Sequence, residues 1–255
     1  MQLKSKLLLA LLATSSAAFA QTAPAEPESS LAYNVGVASE YRYRGIAQTK
    51  GDPALQGGVD YTASNGFYVG TWASTIKWIK EAGLGASPKV DTKGPVELDL
   101  YGGYKFEAAG LAYDVGYLRY QYVENSYNKI PGAVNANTDE AYGAVTYGPA
   151  TLKYSYAFSD LFGNYNSKGS SYLDLSATFD LGEGYSLVPH AGHQKIKNST
   201  LSYTDVSLTL NKDLGDGLSA SLTAIATNVK DNAGYTVNGY NTAKSAAVVG
   251  LKYTF

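Results

Sequence analysis

From residue 31 onward, apolar and polar positions alternate with a period of two in block after block. That is the pattern of strands with two unlike faces. The blocks are 31–44, 54–62, 67–74, 96–106, 111–122, 140–147, 150–158, 171–181, 185–193, 203–214, 218–229 and 245–255. An even set of twelve, each about ten residues long, predicts an all-β fold: a closed antiparallel up-and-down barrel whose tilted strands cross a bilayer.

The connections sort by length. Ser64-Asn65-Gly66, Ala108-Ala109-Gly110, Gly148-Pro149, Gly182-Glu183-Gly184 and Gly215-Asp216-Gly217 are tight-turn sequences, supplying the positive φ angles and the stops that short hairpins need. Between them lie longer polar segments at 45–53, 75–95, 123–139, 159–169, 194–202 and 230–244. Tight turns at one end and long loops at the other are expected of a membrane barrel, whereas a soluble sandwich has no reason to sort its connections.

The alternation also assigns faces. Val96, Leu98, Leu100, Tyr104 and Phe106 oppose Glu97, Asp99, Tyr101 and Lys105, and Val206, Leu208 and Leu210 oppose Asp205, Ser207, Thr209 and Asn211. In a membrane the apolar row meets lipid and the polar row lines the lumen; in a soluble barrel the two exchange places. Aromatics favour the membrane. Tyr61, Phe67, Tyr104, Phe106, Tyr113, Tyr147, Phe179, Tyr185, Tyr253 and Phe255 lie at turn ends. Tyr41, Tyr43, Trp72, Tyr120, Tyr122, Tyr142, Tyr154, Tyr156, Phe158, Tyr172 and Tyr203 lie at loop ends, which predicts two interfacial belts. In 111–122 the apolar phase switches between Tyr117 and Leu118. This predicts a β-bulge that returns Arg119 and Gln121 to the lumen.

Composition agrees. The chain has 23 Tyr against 7 Phe and 2 Trp, and tyrosine, apolar in body and polar at its tip, suits a boundary between hydrocarbon and water. Residues 1–20 read as a cleaved signal peptide, with Lys4 and Lys6, a short apolar run from Leu7 to Ala13, and Ala18-Phe19-Ala20 before the cut. Residues 21–30 are a Pro- and Glu-rich leader, and 31–255 the barrel. Without Lys4 and Lys6, 18 of the 20 basic residues remain against 22 acidic ones, a net charge of −4. That excludes a nucleic-acid partner dependent on a basic surface. No cysteine is present to form a disulfide.

The last block ends on Leu251, Tyr253 and Phe255 with nothing after the final aromatic. This resembles the insertion signal read by the barrel-assembly machinery of the outer membrane. The expected surroundings are outer-membrane lipid and lipopolysaccharide, with Lys77, Trp78 and Lys80 suited to head groups.

No catalytic set emerges, so no enzyme is expected. His190 and His193 are the only histidines, and their spacing on a strand puts them on opposite faces, a poor arrangement for one metal. Gly192-His193 is followed by Gln194-Lys195-Ile196 rather than by the serine that a barrel phospholipase places two residues on. No cofactor is implied. What remains is the polar row, where Asp60, Glu97, Asp99, Asp114, Asp174, Asp180 and Asp205 face Lys105, Arg119, Lys153 and Lys252. Glu40, Arg42 and Arg44 stand near the loop end of the first strand, where a constriction could select solutes. The acidic excess points to cations or polyhydroxyl compounds. The same charges could instead form a salt-bridged plug.

The run from Ser39 to Ile46 (SEYRYRGI), followed by Asp52 to Tyr61 (DPALQGGVDY), resembles the N-terminal signature of the TorF-type porin family of proteobacterial outer membranes. Gly66 to Trp72, Glu97 to Tyr104, Asp114 to Tyr117 and His190 to His193 continue the likeness, and departures fall after Trp72 and after Tyr122. The resemblance implies an outer-membrane porin-like barrel whose transported solute is generally unassigned, and the first reading of the chain is a passive channel for small hydrophilic solutes. A non-transporting structural or adhesive barrel is the other reading of the same fold.

Overall fold

The computed structural model describes residues 28–230 and 234–255; the expected signal peptide and most of the leader lie outside them. Twelve antiparallel strands form one closed wall. They are β1 (Ser30–Ala38), β2 (Ala54–Thr62), β3 (Phe67–Thr75), β4 (Val96–Ala108), β5 (Leu111–Tyr122) and β6 (Thr138–Tyr147). There follow β7 (Ala150–Ala157), β8 (Ser171–Ala177, resuming at Phe179–Gly182), β9 (Tyr185–Lys195), β10 (Tyr203–Gly215), β11 (Leu218–Thr227) and β12 (Ala246–Thr254). Each pairs with its sequence neighbours, and β1 closes the ring on β12 in the register Val35↔Tyr253 and Val37↔Leu251. Phe255 seals that seam. Its backbone exchanges hydrogen bonds of 2.9 and 3.0 Å with Tyr33, and the two rings stack at 5.7 Å.

The alternation is realised as read. On β7, Thr151, Lys153, Ser155 and Ala157 are buried while Leu152, Tyr154 and Tyr156 are exposed. Residues on the outward rows stand bare, with Val37 50%, Leu55 57%, Leu222 51% and Val249 54% exposed. An apolar band of this kind is an unfavourable surface in water and a favourable one in hydrocarbon. The turn-end belt is present on the outward face: Tyr61, Phe67, Phe106, Tyr147, Phe179, Tyr185, Tyr253 and Phe255 are all exposed.

Three expectations are corrected. The first strand stops at Ala38, six residues short of the expected end, because the chain there turns into the barrel mouth. The loop-end belt is only partial. Tyr154, Tyr156 and Phe158 face outward, but Tyr41, Tyr120, Tyr122, Tyr172 and Tyr203 are 6% exposed or less, the last four because their strand phase points them inward and Tyr41 because it lies in the loop that enters the mouth. Finally, β5 keeps continuous register with both neighbours through Tyr117 and Leu118, without a bulge. Arg119 and Gln121 therefore stay on the outward row with Tyr113, Val115 and Tyr117.

The buried apolar residues gather at the mouth rather than in a central core. Tyr41, Ile76, Ile79, Tyr120, Tyr122 and Ala136 form one cluster, and Ala157, Leu161 and Ile196 a second. A helix within the second long loop, α1 (Trp78–Gly85), supplies Ile79 to the first cluster, and the Thr92 hydroxyl donates to the Ile79 carbonyl at 2.6 Å. The segment is too short to be helical on propensity alone, so tertiary packing holds it. No helix among the described residues is long and apolar enough to cross a membrane.

Candidate solute path and its constriction

The first long loop does not leave the barrel. After Ala38 the chain makes a small hairpin, Arg42–Tyr43 against Ile46–Ala47, whose turn residues Arg44 and Gly45 have φ of 48° and 80°. Two successive positive φ angles in a two-residue connection define a type I′ turn. Gly45 is required twice over: a Cβ there would also come within 2.8 Å of both Asp205 Cβ and Thr227 Cγ2. The tip thus abuts β10 and the end of β11.

The stem of the hairpin is held by Arg42. Its Nε donates to Glu40 at 2.7 Å and its Nη1 to the carbonyls of Gly45 and Lys244 at 3.0 and 2.7 Å. Tyr240 donates its hydroxyl to Glu40 at 2.8 Å; burial, and then that carboxylate, push the phenol up to about 12, so it stays protonated. Gln48 accepts from the backbone N–H groups of Lys77 and Trp78, which ties the loop to α1, and Lys50 pairs with Glu81 at 2.6 Å.

The tip carries Arg44 across the lumen. Its guanidinium forks onto Glu140 of β6, with Nη2–Oε2 2.7 Å and Nη1–Oε1 3.0 Å, and Nη1 also donates to Gln194 of β9 at 2.8 Å. It lies 4.3 Å from the ring centre of Tyr172 on β8 and 4.9 Å from that of Tyr43. Tyr203 donates its hydroxyl to the Arg44 carbonyl at 2.9 Å. Tyr43 and Tyr120 are joined through their hydroxyls, and Tyr120 also donates to Glu140 at 3.1 Å. Five wall strands, β5, β6, β8, β9 and β10, therefore hold a loop that springs from between β1 and β2.

Carboxylates surround this contact. Glu97 accepts the Tyr41 hydroxyl at 2.6 Å. Asp174 bonds His190 Nε2 at 2.8 Å, and Asp205 accepts the Tyr172 hydroxyl at 2.9 Å. Toward the turn end, Asp114 and Asp60 accept the hydroxyls of Tyr68 and Tyr101 at 2.6 and 2.5 Å. Lys153 stands 3.8 Å from the ring centre of Tyr142, and Lys105 4.8 Å from that of Tyr68. On the loop side of Arg44 lies a cavity of about 170 Å³ whose lining includes the rings of Tyr43, Trp78, Tyr122, Phe162, Tyr203 and Tyr235.

The family of unknown-function bacterial proteins known as Gcw_chp has a model that matches residues 22–255. The chain belongs to this family. No curated protein matches it. Among solved structures, the KdgM porin in complex with disordered oligogalacturonate aligns with a TM-score of 0.53 at 9% identity, over 89% of this chain and 99% of that one. The NanC porin aligns at 0.54 and 11% identity over the same shares. The COG4313 outer membrane channel from Pseudomonas putida F1 aligns at 0.51 and 12%, over 90% and 96%. At these identities the likeness carries the fold, a closed twelve-stranded antiparallel barrel.

Within this Gcw_chp barrel the expected lumen residues divide clearly. Asp60, Glu97, Asp99, Lys105, Asp114, Lys153, Asp174 and Lys252 lie on inward rows, and Glu40, Arg42 and Arg44 lie in the loop folded into the mouth. Arg119 does not join them. It sits outside, paired with Asp139 at 2.9 Å and with Gln121 at 3.0 Å, because the bulge that would have turned it inward is absent. Leu251, Tyr253 and Phe255 occupy the outward row of β12. His190 points inward and His193 outward, where its Nδ1 meets Thr204 Oγ1 at 3.0 Å. Glu140 was missed. It opens its sequence block, and Tyr142 on the same row reads as a belt residue, so the row looks apolar.

Proposed function

We propose that this chain is an outer-membrane channel through which small hydrophilic solutes diffuse passively, with preference for cations and uncharged polyhydroxyl compounds over anions. The resemblance to TorF-type porins points the same way, and neither a reaction nor a cofactor is invoked. One observation carries the preference. The inward rows and the mouth loop place Glu40, Asp60, Glu97, Asp99, Asp114, Glu140, Asp174 and Asp205 against Arg42, Arg44, Lys105, Lys153 and Lys252. A wall with excess carboxylates attracts cations and repels anions. In this reading the signal peptide is cleaved after export, the barrel-assembly machinery engages the strand ending at Phe255, and lipid and lipopolysaccharide surround the outward rows.

The packed mouth favours a second reading, a non-transporting structural or adhesive barrel, since Glu97, Tyr120 and Glu140 are each 1% exposed. Refolded full-length protein in planar bilayers separates the two. Single-channel steps whose reversal potential in a salt gradient indicates cation preference support the channel. Absence of steps in the wild type and in Arg44→Ala alike rejects it.

A further inference from the structure

Arg44 behaves as a guest in a site built by the wall. Every group that holds its guanidinium from the wall belongs to another strand: the Glu140 fork, the Gln194 amide oxygen and the Tyr172 face. A carboxylate meeting a planar fork, a lateral amide acceptor and a ring face is the complement of a guanidinium rather than of a spherical cation.

The charge around the site is not balanced by its occupant. Glu97 and Glu140 both bear on Asp99, whose Oδ1 is buried with no hydrogen-bond partner among the described residues. Of these three carboxyl groups the Arg44 guanidinium is hydrogen-bonded to Glu140, while Glu97 accepts from Tyr41. A buried, unpartnered acceptor is costly and marks a place where a further donor is wanted. Directly on the loop side lies the cavity of about 170 Å³, which Arg44, Gln194 and Tyr43 all line, room for about six waters at their liquid volume. That space adjoins the Arg44 side chain, and Arg42 holds the hairpin stem independently of it.

We propose that the Glu140–Gln194–Tyr172 seat is a binding site for solutes carrying a guanidinium or amidinium group. Arg44 fills the seat when no solute is present, and an incoming cation displaces it into the cavity. The site thus names a solute class for the channel proposed above and rests on that reading for its route of access. Phosphorylated, carboxylate-rich and plain quaternary ammonium solutes lack the planar fork and do not match it.

The test is isothermal titration of methylguanidinium chloride into full-length protein refolded in detergent, with tetramethylammonium chloride as the control. Each variant is first confirmed folded by its heat-dependent shift in gel mobility. Arg44→Ala should bind methylguanidinium about tenfold or more tightly than wild type, the scale of one freed charge-assisted bidentate pair. Adding Glu140→Gln should remove the gain, and tetramethylammonium should show none. Arg44→Lys, whose ammonium cannot fork, should give an intermediate gain and provides the answer if Arg44→Ala does not fold. Equal binding by wild type and folded variants, or an equal gain for tetramethylammonium, overturns the proposal. Bilayer recordings of the same samples keep the two readings apart. Binding without conductance sinks the channel and leaves the site, whereas conductance without selective binding sinks the site and leaves the channel.

Discussion

Arg44, carried across the lumen by the first loop, forks onto Glu140 of the far wall at 2.7 and 3.0 Å, with side chains 6% and 1% exposed. Removing one partner of such a buried pair leaves the other charge uncompensated, at a cost of about 3–5 kcal/mol. Glu140→Gln should therefore lower the urea midpoint of the barrel in lipid vesicles. The double variant Arg44→Met with Glu140→Leu should recover most of the loss, because neither charge remains to be desolvated. If Glu140→Gln is as stable as wild type, the pair contributes nothing to holding the loop.

Gly45 offers a way to expel the loop without touching a charge. Its φ of 80° already disfavours any side chain, and a Cβ would meet Asp205 and Thr227 at 2.8 Å. Gly45→Ala should leave the barrel folded but dislodge the hairpin tip, at a local strain of about 1–2 kcal/mol before the clash is counted. The expected reading is a larger single-channel conductance than wild type, with unchanged gel mobility. Unchanged conductance would mean that the tip does not limit the path.

Period two sufficed to find the wall, its twelve strands, its tight turns and the outward aromatics at the turn end, because each depends on local alternation and turn chemistry. The mouth depends on contacts between residues far apart. Arg44 and Glu140 are 96 residues apart, and Arg44 and Gln194 are 150 apart, so nothing local marks them as partners. Strand phase alone also misled at Arg119. Its neighbours suggested a bulge, whereas the Arg119–Asp139 pair lets a charge remain on the outward row near the rim, where, on the proposed membrane reading, the cost of facing lipid would be about 0–1 kcal/mol.

Acid should loosen the mouth only below the ordinary glutamate range. The Lys50 ammonium, and secondarily the Asn238 amide at 2.7 Å, hold the Glu81 carboxyl below its usual pKa against a smaller opposing effect of burial. A depressed folded-state pKa means that the tether between the first loop, α1 and the last loop is complete above the unfolded value, about 4.3, and is lost as pH falls through the folded one. Conductance noise should thus be flat from neutral pH down to that range and rise below it. Glu81→Gln should show the acid behaviour at every pH; a wild-type change centred near neutrality would contradict the assignment.

Inside and outside can be separated by charge reversal. Asp60 lies on the inward row and accepts the Tyr101 hydroxyl, whereas Arg119 lies on the outward one. Asp60→Lys should move the reversal potential toward anions, as reversing a wall charge alters the field that passing ions meet. Arg119→Glu should leave it where it was. A shift in the Arg119 variant, with none for Asp60, would reverse the faces assigned here.

The membrane itself is tested on β11, where Leu222 faces outward at mid-strand and Ser221 inward. If the outward band contacts hydrocarbon, an arginine at its midplane costs about 2–4 kcal/mol. Leu222→Arg should then fold poorly into lipid vesicles and lower the urea midpoint by that amount. If the band instead faced water, the same change would replace a bare leucine by a solvated cation and fall within about 0.5 kcal/mol of wild type, as surface substitutions usually do. The two expectations differ by more than the uncertainty of extrapolated unfolding energies, so this one variant decides which solvent the barrel was built for.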